Sequence, residues 1–199
     1  GYYMDANKPK SEKLVLQLKG GGWGIQDISS DNKKLLIGEY ISINESYIWL
    51  LDIETGKLTE VTDRNTKGIT QTGASFSSNP NEIWYVTDKD NEFERLATMN
   101  LDSKKVSFYT TAIPWNIENY SLSEDKKSII FISNEAGLNK MYLMNTNTKS
   151  YKEVPNLPIG LIGGASFTKD NQTIFFTQST AQSAADVYQL NIKTGQVKR

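Results

Sequence analysis

The chain of 199 residues contains neither cysteine nor histidine. Those two absences remove Cys/His zinc sites, cysteine nucleophiles and every catalytic triad with a histidine base. A cysteine-free chain suits any redox compartment, so localisation stays open. Long apolar runs are also missing: none approaches the roughly 18 residues that cross a membrane, and no membrane partner is expected. Charge of one sign is not in surplus, with 22 basic and 23 acidic residues. That balance gives no reason to expect nucleic acid. The opening GYYMDANKPK lacks the charged-then-apolar layout of a signal peptide. No stretch of ten or more residues shows a 3.6 period, which excludes helical repeats.

What the sequence does have is repetition. GASFS at 73–77 returns as GASFT at 164–168. Phe76-Ser77-Ser78-Asn79 matches Ile28-Ser29-Ser30-Asp31, Leu122-Ser123-Glu124-Asp125 and Phe167-Thr168-Lys169-Asp170. The leading apolar residues are spaced by 48, 46 and 45. Each is followed by a polar turn and an apolar run: Leu35-Leu36-Ile37, Ile83-Trp84-Tyr85, Ile129-Ile130-Phe131, Ile174-Phe175-Phe176. A further strand in each unit ends at Asp52, Asn100, Asn145 or Asn191, in the same period. Self-similarity at this length marks a solenoid, an array or a propeller.

The runs are short, β-branched and aromatic, and Asn, Asp, Gly and Lys clusters separate them, which is strand-and-turn chemistry. Four short strands in about 46 residues is the arithmetic of a β-propeller blade. The expected fold is therefore all-β: four four-stranded antiparallel blades plus the last strands of a preceding one. Residues 1–199 read as one partial propeller domain, with blades near 1–18 (partial), 24–62, 72–110, 117–154 and 163–199. The first blade is expected to run Ile25–Ser29, Lys34–Tyr40, Tyr47–Asp52 and Leu58–Val61. Leu36, Trp84, Ile130 and Phe175 take equivalent positions, and all four are expected to be sealed between sheets. Ser75 and Ser166 then stand on inner strands as structural residues, and the glycines ahead of them let the chain turn inward.

The repeat resembles the PD40-type repeat of TolB-like propellers. More specifically, it is similar to the propeller domain of the prolyl oligopeptidase family of serine peptidases, in the dipeptidyl-peptidase and acylaminoacyl-peptidase branch. The residues that carry the resemblance are IWLLDIETGKLTEVT (48–62), YVTDKDNEFERLATMNLDSKKV (85–106), IPWNIENYSLSEDKKSIIFISNEAGLNKMYLMN (113–145) and FTQSTAQSAADVYQLNIKTGQVKR (176–199). The resemblance implies a propeller that gates access to, and scaffolds, a C-terminal α/β-hydrolase domain. This sequence contains no such domain and no G-x-S-x-G elbow. On its own it is expected to be inactive, and peptide substrates would be partners only through the catalytic half. The alternative is a TolB-like, non-enzymatic protein-binding propeller. The family anchors substrate N-termini with adjacent glutamates; no Glu-Glu pair occurs here, so no binding residue is carried over.

Weaker signals read as structure. Asp88, Asp90 and Glu92 have the alternate spacing of a calcium loop, but Phe93 stands where such a loop needs glycine. Asp27, Glu39, Glu45 and Glu118 are the carboxylates that a glycan-active propeller would have to bring together. GGGWG at 20–24 lacks the strand-to-helix context of a phosphate loop. Catalytic, cofactor and metal residues are therefore expected to be none, with no cofactor. Trp23 and Trp115, in connections entering inner strands, are candidates for the mouth of a central channel, against packing under a loop.

The ends complete the expectation. Tyr2–Asp5 reads as the third strand of an earlier blade and Lys13–Leu16 as its outer strand. The last blade has its own third strand, Val187–Leu190. An open arc is expected, with self-association through its exposed blade faces.

Overall fold

The computed structural model describes all 199 residues, Gly1–Arg199. It is built of strands and turns alone. A two-stranded sheet pairs β1 (Tyr2–Tyr3) with β2 (Lys13–Leu14). The first four-stranded sheet holds β3 (Trp23–Ile28), β4 (Lys34–Ser42), β5 (Glu45–Asp52) and β6 (Leu58–Glu60). The second holds β7 (Gln71–Phe76), β8 (Glu82–Thr87), β9 (Arg95–Asn100) and β10 (Val106–Phe108). The third holds β11 (Ile117–Leu122), β12 (Ser128–Glu135), β13 (Leu138–Asn145) and β14 (Tyr151–Glu153). The fourth holds β15 (Leu161–Phe167), β16 (Thr173–Thr180), β17 (Ser183–Asn191) and β18 (Val197–Lys198). Strands follow one another in chain order across each sheet, so short turns suffice to connect them. The chain forms two compact units, residues 1–89 with 98–106, and residues 90–97 with 107–199.

Two turn devices recur with the repeat. After each inner strand a hydroxyl and a carboxylate tie the turn, as where Ser123 Oγ donates to Asp125 Oδ1 at 2.7 Å while accepting from the Ser128 amide. Ser29 with Asp31 and Thr168 with Asp170 repeat the bond. After each third strand the Oδ1 of Asp52, Asn100, Asn145 or Asn191 accepts the amide three residues on. These self-bonded Asx turns are why Asp and Asn keep the period. The next residue is left-handed in each: Gly56, Lys104, Lys149 and Gly195. Glycine is free there, whereas a lysine carries the steric cost of a Cβ.

Every inner strand is also bulged against its neighbour, between Ile25 and Asp27, Thr72 and Ser75, Ile117 and Asn119, and Gly163 and Ala165. Gly73 and Gly164 have φ of 66° and 52° and sit at the bulge. This corrects the expectation that these glycines serve the entry from the preceding blade. They lie inside β7 and β15, where the extra residue demands a backbone that glycine supplies.

In the second unit the third and fourth sheets share a core. Ile130, Ile132 and Met141 meet Ile162, Ile174, Phe176 and Leu190. On the opposite side of the third sheet Phe131 stacks on Tyr142 at 5.0 Å, and Tyr151 meets both rings edge-on. Leu36, Trp84 and Ile130 are sealed as expected. Phe175 is not: it is 47% exposed, and its neighbour Phe176 is the buried residue. Strand β16 buries only alternate side chains, whereas β8 is buried along nearly its whole length. The fourth sheet thus has one covered face, and the pleat sends Phe175 to the other.

Candidate functional site

The polar side chains that sequence reasoning singled out are consumed by the fold. Asp27 Oδ2 accepts the Phe76 amide at 2.8 Å, and Gln26 Oε1 accepts that of Ala74 at 2.7 Å. Both acceptors stand at the bulge of β3 and fasten it to β7. Glu39 is buried and its carboxylate is saturated. Arg64 grips it through Nη2 at 2.9 Å and Nε at 3.1 Å, and Trp49 Nε1 donates at 3.0 Å. Glu45 accepts from the Tyr47 hydroxyl at 2.5 Å, which with Gly68 and Lys67 holds its carboxyl below the usual carboxylate range. In the second unit Glu118 accepts from the side chains of Asn134 and Asn139 at 2.7 and 2.9 Å. All four carboxylates are thus held by hydrogen bonds within the fold.

The remaining signals resolve the same way. Asp88 Oδ1 caps the Thr70 amide at 2.8 Å, while Asp90 sits at a left-handed turn position. No group of three or more acidic residues is arranged to hold a metal ion. Ser75 lies opposite Trp84, and Ser166 opposite Phe175, as ordinary ladder residues. The GGGWG stretch has a steric purpose: a Cβ on Gly22 would fall 2.2 Å from the Tyr40 carbonyl oxygen. The close approach lets Tyr40 donate its amide to the Gly22 carbonyl at 2.8 Å.

Trp23 is the first residue of β3. Its indole donates to the Lys19 carbonyl at 3.2 Å and tilts against Trp49 at 5.9 Å. It lines an apolar cleft of about 410 Å³ between Tyr2, Tyr3 and Leu16 near the N-terminus and Ile25, Leu35 and Ile37 of the first sheet. Trp115 lies in the connection before β11 and offers its carbonyl to Arg95 Nη1. Arg95 was not singled out from sequence. It is buried, and its Nη1 also donates to the carbonyls of Thr110 and Ile113. Burial pushes its pKa down. A lone arginine inside the apolar run of β9 was the available signal, since a buried guanidinium must find acceptors.

Exposed apolar side chains in the first unit gather on one hairpin. The β4–β5 hairpin projects Tyr40, Ile41 and Ile43, the last 81% exposed. Beside it lies a hollow of about 210 Å³, lined by Gly22, Gly38, Gln26, Glu39, Tyr40 and Gln71 among others.

No protein-family model matches the chain, and no curated protein matches it by sequence. Solved structures do match. TolB from Acinetobacter baumannii is 20% identical with a TM-score of 0.72, over 95% of this chain and 45% of that one. Prolyl oligopeptidase B from Galerina marginata is 13% identical with a TM-score of 0.76, over 99% of this chain and 29% of that one. Oligogalacturonate lyase from Vibrio parahaemolyticus is 16% identical with a TM-score of 0.69, over 87% and 50%. The chain spans half or less of the length of these three structures. The class is therefore an all-β propeller segment. Its structural neighbours include both groups that the sequence resembles, the TolB-like propellers and the prolyl oligopeptidases.

Proposed function

We propose that the chain works by contact rather than by chemistry, as the propeller module of a serine exopeptidase or oligopeptidase. In that role it steers peptide substrates toward a hydrolase domain and scaffolds it. The observation that carries the reading is the contrast within the first unit. Asp27, Glu39 and Glu45 are spent on internal bonds, while the hairpin Tyr40–Ile41–Ile43 stands out in solvent. Exposed apolar side chains grouped on one hairpin suit a polypeptide partner.

The test has two parts. The chain should not hydrolyse dipeptidyl or aminoacyl chromogenic substrates, having no histidine to act as base. Turnover lost in Ser75→Ala or Ser166→Ala would overturn this. Fluorescence polarisation with unstructured, proline-containing peptides should show binding, weakened about tenfold by Ile43→Asp. Equal binding by that variant would remove the hairpin from the contact.

A second reading, a TolB-like module that binds folded proteins, is supported by the likeness to TolB over 95% of this chain. The coding sequence after Arg199 separates the two. A G-x-S-x-G elbow followed by Asp and His favours the peptidase, and a prompt stop codon favours the binding module.

A further inference from the structure

Arg95 is the one cation among the buried residues of the chain. A guanidinium carries five N–H donors in a rigid fork. Here Nη1 takes every bond, to the carbonyls of Thr110 at 3.1 Å, Ile113, and Trp115 at 3.4 Å. Two hydrogens are thus shared among three acceptors. Nε is sealed from solvent with no acceptor at all. Nη2 takes none either and, unlike Nε, is not sealed off. The carbonyls are neutral, so the buried charge is left unmatched, which is costly. The other two arginines are treated differently: Arg64 holds Glu39 at 2.9 Å and Arg199 holds Asp186 at 2.8 Å, although both reach solvent.

The repeat shows what is missing. The Leu96 amide bonds to Thr110 as the Ile48 amide does to Thr62, which aligns Arg95 with Tyr47 and Phe93 with Glu45. At Tyr47 the hydroxyl meets the Glu45 carboxylate. In the later repeat the side chain is a cation, and a phenyl ring has replaced the carboxylate. That ring lies against the guanidinium, with Cζ 5.2 Å from its centroid, and holds it in place. Glu92 and the Tyr151 phenol are the titratable groups whose fields reach it. Phe93, Arg95 and the connection Thr110–Asn116 belong to one unit, and all lie far along the chain from both of its ends. We propose that the Nε–Nη2 edge of Arg95 is a binding site for a carboxylate. Such a group brings two acceptors to two adjacent donors and supplies the charge that the carbonyls do not. A polypeptide presents it at its C-terminus or on Asp and Glu. The inference stands on the guanidinium alone and is independent of the peptidase reading.

With three arginines, the chain gives three Nε–Hε signals in proton–nitrogen correlation NMR. Arg64→Lys and Arg199→Lys each delete one, so the Arg95 signal is assigned without altering Arg95. Sodium acetate, exchanged for sodium chloride at constant ionic strength, should move that signal along a saturating curve with a millimolar midpoint. Acetamide, of similar shape but uncharged, should leave it in place. Acetyl-Ala-Ala-Ala with a free C-terminus and acetyl-Ala-Glu-Ala-amide then distinguish a chain terminus from an acidic side chain as the source. Arg95→Lys keeps the charge but loses the fork, and should weaken acetate binding about tenfold, read from the Trp115 amide. An Arg95 signal that ignores acetate, follows acetamide equally, or moves no more than those of Arg64 and Arg199 overturns the proposal.

Discussion

Ser123 has no accessible surface, and its hydroxyl closes one turn from two sides. It donates to Asp125 Oδ1 and accepts the Ser128 amide at 2.9 Å. The side chain thereby replaces water for an amide that the turn has turned inward. Ser123→Ala removes both bonds and leaves that amide without its acceptor, so unfolding by urea should show a loss of about 1–2 kcal/mol. Ser123→Thr, which is the residue at the equivalent position 168, should retain most of the stability. If alanine and threonine behave alike, the hydroxyl is not what holds the turn. Ser29 and Thr168 make the same bond in their own repeats, so the recurring hydroxyl-and-carboxylate pattern follows from turn chemistry without any selection for a reaction.

At the scale of elements, the second strands divide by what covers them. Trp84 on β8 is fully buried, and Trp84→Ala should cost about 3–5 kcal/mol, since a cavity replaces the ring. Urea titration checks it; a loss under 1 kcal/mol would mean the ring contributes little to packing. The strands themselves were legible, because β-branched and aromatic runs alternate with Asx turns at a fixed period. The exposure of Phe175 was not, because a repeat fixes which side chain points across a sheet but not whether another sheet stands opposite. The bulges were hidden for another reason. The extra residue is Gln26 in β3, Glu118 in β11 and Gly164 in β15, so no single residue type marks it. Those same bulge positions supply Gln26 and Glu118 to the neighbouring strands, and the polar contacts that empty the candidate site of free carboxylates went unseen with them.

For the whole molecule, the absence of histidine shapes the response to pH. Hydrogen bonds from Ser29, Ser123 and Thr168 hold the carboxyls of Asp31, Asp125 and Asp170 below the usual range. Backbone amides do the same for Asp52 and Asp63. In the unfolded chain these groups return to about 3.9, so below that pH the unfolded state binds more protons. Their stabilisation is complete above about pH 5 and is lost as the pH falls through their folded values. On the alkaline side burial raises Tyr47, Tyr142 and Tyr151, and the Glu135 carboxylate raises Lys140. Groups raised by folding stabilise below their unfolded pKa and cease to as the pH climbs past about 10. Lys104, pushed down by burial, opposes this trend alone among the lysines with a shift. No imidazole titrates in between. The melting temperature at fixed ionic strength should thus be flat from about pH 5.5 to 8.5, with both limbs falling outside it. A step centred near pH 6.5 would contradict the assignment. Asp125→Asn keeps an oxygen acceptor in the turn but takes up no proton, so its acid limb should be shallower than that of the parent chain.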